Sequence, residues 1–303
     1  MGLHDYTFYD LINRNAVSYR NLPAWFEVDD QRFLTFAAYK QKVDQLACGL
    51  QKGGFKKGDR IGVLGKNSLE YFLLYGAAAA LGGIVLPINW RLSADEAVFN
   101  LNDGQPGILF VDSEFQGLIK DIKTKLTSVT KFINLKPPPG EFSDFDGLLK
   151  NDGEFDPADV SDADGAVIIH TAAVAGRPRG ALLRQGNIIS ANIHINLLMN
   201  LSAADVHLNI LPLFHVGGLL MATGAFHCGG LTVNMSKFDA ARAVELIKEK
   251  QVSVMFDFSP ILGSILEAAE KSGADISTLQ HIVGLESPEV IEKYQESVGG
   301  TFY

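Results

Sequence analysis

Short apolar runs rich in β-branched residues alternate along this chain with stretches whose apolar positions recur three and four apart. The first pattern suits buried strands and the second amphipathic helices, so the chain reads as strand and helix taken in turn. Thr35 is placed to cap a helix with the stripe Tyr39, Val43, Leu46, Ala47 and Leu50, which Gly53 and Gly54 close. A strand over 60–64 follows, then a helix capped by Ser68. Residues 71–88 carry no charge across eighteen positions, close to the length of a membrane span. Gly82, Gly83 and Pro87 divide that run, so it predicts a close-packed helix to about Leu81 and a buried strand over 84–86. Ser93 starts a helix through Leu101, 108–111 is a strand, and the alternation continues to Leu135.

The second half repeats the class without repeating the sequence, and no solenoid period is present. A strand over 166–170 runs into a loop punctuated by Gly176, Pro178 and Gly180, and a strand over 181–183 follows. Asn187 is placed to cap a helix over 187–201. Next come a strand over 206–211, a loop over 212–218, a helix over 219–227 and a strand over 231–235. An amphipathic helix over 239–250 turns Ala240, Val244 and Ile247 inward. Strand 252–256, helix 260–269, strand 281–283 and helix 288–297 complete the chain. Strands separated by helical stretches of this length indicate parallel βαβ units. The expected class is α/β, with layered βαβ sheets and helices on both faces. Pro137, Pro138 and Pro139 open an acidic stretch that reads as a linker over about 136–164, between α/β parts over about 1–135 and about 165–303.

Composition supports a folded chain: of 303 residues, 47% are hydrophobic and 20% charged. The net charge is −9, and the stretch 136–164 alone holds nine acids against two lysines, so the rest is close to neutral. No basic face points to nucleic acid. Cys48 and Cys228 lie far apart in apolar surroundings and read as core thiols of a reducing compartment, which places the chain in the cytoplasm. The first ten residues lack the cationic-then-apolar order of a signal peptide.

The candidate chemistry begins at 165–180. A strand that runs into a small-residue loop with Arg177 and Arg179 at its exit can hold an anion on backbone N–H groups and guanidinium charge. The same residues also suit an ordinary hairpin between two strands. Neither standard nucleotide motif is present. The loop resembles the phosphate loop of the adenylate-forming ligases, the acyl-CoA synthetase family, which reads Tyr-Thr-Ser-Gly-Thr-Thr-Gly-x-Pro-Lys-Gly. His170, Thr171, Gly176, Pro178, Arg179 and Gly180 fall on that pattern, while Ala172, Ala173, Val174 and Ala175 stand where the family has its serine, central glycine and threonines. Phosphate binding would then rest on the backbone of 172–176, Thr171 and Arg179.

Other segments are similar to the same family, in the same order. They are 35–67, with Gly58-Asp59-Arg60-Ile61 and Asn67; Pro87-Ile88-Asn89-Trp90-Arg91-Leu92, followed by Glu96, Leu101, Asp103 and Pro106; and Leu211-Pro212-Leu213-Phe214-His215-Val216-Gly217-Gly218. Residues 252–266 look like the strand, proline-bearing loop and helix that line the acyl pocket. The resemblance runs from about Thr35 to Tyr303 and implies the fold of the family's large N-terminal domain.

It further implies that His215 sits beside the substrate carboxylate and orients it or gates the tunnel. A core histidine bonded to backbone is the other reading of that residue. Phe214, Gly217, Gly218, Asp257, Phe258 and Ser259 would line the acyl pocket. Asp257 departs from the family's small uncharged residue; it would pair with a polar substrate tail or bond the turn at Ser259 and Pro260. Gly284, Leu285 and Glu286 would form the adenine loop, and no metal-ligand set is expected.

The implied reaction uses ATP, Mg²⁺ and CoA to convert a carboxylic acid, of fatty type given the apolar runs 219–226 and 261–266, into acyl-AMP and then acyl-CoA. The family's Tyr-Gly-x-Thr-Glu and its C-terminal domain with the adenylation lysine have no counterpart in these residues. The resemblance is therefore to a truncated N-terminal part, expected to be inactive alone. A degenerate homologue that binds acyl ligand or nucleotide without turnover, and an amino-acid-activating module using Asp257, are the alternatives. No nucleic-acid partner or transmembrane segment is expected, and a homodimer is left open.

Overall fold

The structure is a computed structural model that describes residues 6–136, 141–171 and 177–303. It divides into two compact units: Met1–Arg20, Phe36–Ser190 and Leu213–Val216 in the first, Asn21–Thr35, Ala191–Pro212 and Gly217–Tyr303 in the second.

The first unit is built on a seven-stranded sheet in the spatial order Ser143–Asp144, Lys131–Asn134, Ile108–Val111, Arg60–Leu64, Ile84–Ile88, Gly165–His170, Gly180–Arg184. All neighbours are parallel except the last pair, an antiparallel hairpin. Alternate residues of the central strands face opposite ways, as the period of two requires. Leu64, Leu86, Leu109 and Val111 pack on helices Ala94–Gly104 and Gln116–Ile122. On the other face Phe110 meets Phe145 edge-on, with ring centroids 5.9 Å apart. Helix Leu69–Leu81 is buried at all thirteen positions, which accounts for the apolar, span-like sequence that follows Glu70 in its first turn. No helix among the described residues is long and apolar enough to cross a membrane.

The second unit also holds a seven-stranded sheet, ordered Thr301–Phe302, His281–Leu285, Val254–Phe258, Val206–Asn209, Leu231–Asn234, Pro23–Glu27, Phe33–Thr35. Only the last pair is antiparallel. Leu208, Val233, Met255 and Ile282 face helices Ala240–Lys250 and Ile261–Ser272 in one continuous core. The opposite face carries Val254, Phe256 and Val283, packed with Met199 and Met221.

The architecture is the α/β class read from the pattern, with corrections to its parts. The division between the units does not follow the expected boundaries. Gly165–His170 pairs with Ile84–Ile88, so the first sheet takes strands from both sides of the acidic stretch, and Pro23–Glu27 pairs with Leu231–Asn234 in the second. The acidic stretch is not only a linker. Ser143–Asp144 adds an edge strand, and Phe145 is buried in the short helix Phe145–Leu149. Helix Phe8–Ser18, capped by Thr7, precedes every element predicted from the pattern.

Three boundaries shift for local reasons. The helix expected from Asn187 is Gln185–Met199, and Asn187 reaches back to accept from the Arg184 N–H at 2.9 Å. The strand expected over 252–256 is Val254–Phe258, because Val252 donates back to Ile247 at 3.0 Å and so closes the preceding helix. Gly217 and Gly218, read as loop, lie in the first turn of helix Val216–Cys228.

Candidate functional site

Parallel α/β sheets bind ligands outside the carboxyl ends of their strands, and most of the sequence-predicted residues lie there. They divide between the units, and each set is described within its own unit.

In the first unit, strand Gly165–His170 leads into the candidate phosphate loop and Gly180–Arg184 leaves it. Ala172, Ala173, Val174, Ala175 and Gly176 lie outside the described residues. At the rim, Thr171 donates its N–H to Arg179 O at 3.0 Å, and its Oγ1 accepts from the Arg179 N–H at 3.4 Å, so the two flanking residues close the loop's neck. The described ends of the segment thus pair as the hairpin reading expects. The two arginines separate in role. Arg177 lies over the Phe99 ring at 5.4 Å, whereas the exposed Arg179 guanidinium makes no ion pair among the described residues. His170, in the place of the family tyrosine, holds Asp103 Oδ2 through Nε2 at 2.9 Å. That contact ties the loop's entry strand to helix Ala94–Gly104.

His215 belongs to the same unit and sits in the turn just before helix Val216–Cys228. The residue is exposed overall, yet partial burial of its imidazole holds the pKa below the ordinary histidine value. Phe214 beside it is half-buried. Two residues earlier, Leu213 is fully buried and fixed through its backbone by Asn67 and Tyr75.

In the second unit, Gly218 is a packing requirement. A Cβ there would lie 2.3 Å from Pro212 O, so only glycine lets the helix start fold back on that residue. Strands Val254–Phe258 and His281–Leu285 run parallel with Asp257 opposite Gly284 and Phe258 opposite Leu285. Gly284 is dictated by that approach, since a Cβ would meet Asp257 O at 2.1 Å. Ser259 continues the ladder by donating its N–H to Leu285 O at 3.0 Å.

Side-chain alternation then sorts these residues onto two faces. Phe258 and Leu285 stand exposed at 47% and 64%, an apolar pair continuing the face of Phe256 and Val283. Asp257 points the other way, with Met255, toward helix Ile261–Ser272. Its Oδ1 accepts from the Leu262 N–H at 3.0 Å, a carboxylate at a helix N-terminus. Asp257 therefore bonds the chain just past the Ser259–Pro260 turn. Its Oδ2 is buried without a hydrogen-bond partner among the described residues, as is Glu286 Oε2. Burial, with the Glu286 charge adding to it, pushes the Asp257 pKa up to about 6.

Sequence reading missed a polar row on the sheet face opposite the main core. Asn209, Asn234 and Glu27 end three adjacent strands and are buried in register. Asn209 Nδ2 donates to Asn234 Oδ1 at 2.7 Å, Asn234 Nδ2 to Glu27 Oε1 at 2.9 Å, and Trp25 Nε1 to Glu27 Oε2 at 3.1 Å. The available signal was a polar residue closing each of three apolar strands. No cluster of three or more His, Cys, Asp or Glu suited to a metal ion occurs among the described residues.

The motifs and geometry have a counterpart in known proteins. The family model described as AMP-binding enzyme matches residues 12–303, and the chain belongs to that family. It is 33% identical over 255 residues to the indoleacetate–CoA ligase of Aromatoleum aromaticum, covering 83% of this chain and 50% of that protein. It is 26% identical over 292 residues to the long-chain-fatty-acid–CoA ligase FadD13 of Mycobacterium tuberculosis, covering 93% and 56%. The chain thus spans about half the length of these curated relatives. Among solved structures it superposes on a Rhodopseudomonas palustris protein assigned to the long-chain-fatty-acid CoA ligases, with a TM-score of 0.93 and 38% identity, over 99% of this chain and 75% of that one. The anthranilate CoA ligase AuaEII in complex with anthranoyl-AMP shares the fold at a TM-score of 0.92 and 20% identity, over 100% and 60%.

Proposed function

We propose that the chain is part of an ATP-dependent acid–thiol ligase that activates a carboxylic acid as its acyl-AMP and passes the acyl group to CoA. The observation that carries this reading is the family match across residues 12–303. Relatives named for indoleacetate and for long-chain fatty acids support CoA ligation of an apolar acid without choosing between an aromatic and an alkyl tail. The exposed Phe258–Leu285 pair suits either.

In the proposed reaction the substrate carboxylate attacks the ATP α-phosphorus and pyrophosphate leaves; the CoA thiolate then attacks the acyl carbonyl and AMP leaves. Mg²⁺ bound with ATP would offset charge on the phosphates. Arg179, at the neck of the phosphate loop and without an ion pair among the described residues, supplies cationic charge beside them. Thr171 and the backbone of 172–176 would complete the cradle, and Gly284, Leu285 and Glu286 would face the adenine. His215, its pKa held low by burial, is neutral at pH 7. It therefore orients the carboxylate by hydrogen bonding. A general base is not needed, since the acid is already ionised.

Calorimetric titration of the chain with Mg-ATP, and separately with stable indoleacetyl and fatty acyl analogues of acyl-AMP, tests the proposal. Micromolar binding of ATP and of one analogue is expected, and Arg179→Ala should weaken ATP binding by about tenfold, the worth of one charge-assisted contact. Failure of both ligands to bind overturns it. Binding of the analogue without ATP favours the second reading, a homologue that has lost turnover, which the Ala172–Ala175 replacements motivate.

A further inference from the structure

The loop carrying His215 is bonded on both sides of Leu213, two positions before it. Leu213 donates its N–H to Asn67 Oδ1 at 2.7 Å and accepts at its carbonyl from the Tyr75 hydroxyl at 2.9 Å. Those partners lie 146 and 138 positions away along the chain, and all three side chains are buried. Both backbone polar groups of a single loop residue are thus filled by long-range side-chain bonds.

One strand-to-helix corner supplies both partners. Asn67 follows strand Arg60–Leu64, and Ser68 next to it accepts from the Tyr71 N–H at 3.2 Å to start helix Leu69–Leu81. Tyr75 projects from that helix with its ring stacked on Tyr71, 5.7 Å between centroids and 5° between planes. Downstream of Leu213 only Phe214 and His215 intervene before helix Val216–Cys228 begins. His215 is therefore caught between a doubly bonded residue and a helix start. A buried donor or acceptor left unpaired is costly, so the loop does not drift from this arrangement without penalty.

We propose that Asn67 and Tyr75 are positioning residues for His215, setting through Leu213 where its imidazole stands. The importance of that placement rests on the ligase reading above, but the mechanical link does not. The test is an NMR pH titration of the histidine side chains in the chain labelled at histidine, without substrate, for wild type, Tyr75→Phe and Asn67→Ala. Wild-type His215 should titrate below about 6.5, the ordinary value, and each substitution should carry its midpoint back toward that value.

A His215 midpoint unchanged in the substituted chains overturns the proposal. Tyr75→Phe removes one hydroxyl and decides the matter should Asn67→Ala fail to fold. Where an assay of CoA ligation on the chain gives turnover, the same variants should lower kcat at least about tenfold with KM for Mg-ATP unchanged. Failure of both Mg-ATP and the acyl-AMP analogues to bind would count against the ligase reading, and the titration would still decide this one.

Discussion

Two buried ionisable side chains give the second unit opposite responses to pH. Asp257 is fully buried, with its pKa raised to about 6, while an unfolded aspartate ionises near 3.9. The unfolded chain therefore releases this proton first as pH rises. The penalty is absent below about 3.9 and complete above about 6, so Asp257 costs stability at neutral pH. Asn in its place keeps the acceptor for the Leu262 N–H and removes the charge. Asp257→Asn should raise the urea-unfolding free energy by on the order of 2 kcal/mol at pH 8 and leave it unchanged near pH 3.5. His207 behaves in the reverse sense. Burial drives its pKa down to about 3, so the unfolded chain takes up the proton first as pH falls below about 6.5. Its neutral form supports the fold fully above that value and the support drains between about 6.5 and 3. Wild type should lose on the order of 2 kcal/mol more than His207→Leu between pH 7 and pH 5, read by the same unfolding curves. Neither burial was legible in the sequence: His207 and Asp257 sit in apolar strands where only the register reveals what they face.

At the scale of elements, the carbonyl of Asp257 sets a steric rule for the adjacent strand. Gly284→Ala should cost about 3 kcal/mol or more, since backbone rather than a movable side chain stands 2.1 Å from the new methyl. Gly263→Ala provides the contrast. It lies inside helix Ile261–Ser272, where the nearest outside atom, a Val290 methyl, is an ordinary 3.6 Å away. That change should gain about 0.5–1 kcal/mol from helix propensity, and chemical denaturation of both variants checks the pair. Compact apolar runs were readable to the residue, as with Arg60–Leu64 and Ile108–Val111. Glycine misled at Gly217 and Gly218, where small size serves packing inside a helix and not a turn. Ser143–Asp144 and Phe145–Leu149 are too short for any period to show.

Over the whole chain, alternation gave the α/β class but not which strands share a sheet. Pro23–Glu27 joins Leu231–Asn234 across more than half the sequence, a pairing that no local pattern encodes. The candidate site was legible where a motif is contiguous, as in Leu211–Gly218, and illegible where it is assembled, as in the grip of Asn67 and Tyr75 on Leu213. One feature of the first sheet also governs how this chain behaves in company. Gly180–Arg184 ends the strand order and is largely exposed, with Leu182 at its centre. Such a border is a template for a second copy, and its natural guard is charge. Two copies meeting there head to tail would set Arg184 of each against the Arg179 side of the other. Dissolved salt weakens that repulsion, so concentrated stocks should keep best in dilute buffer.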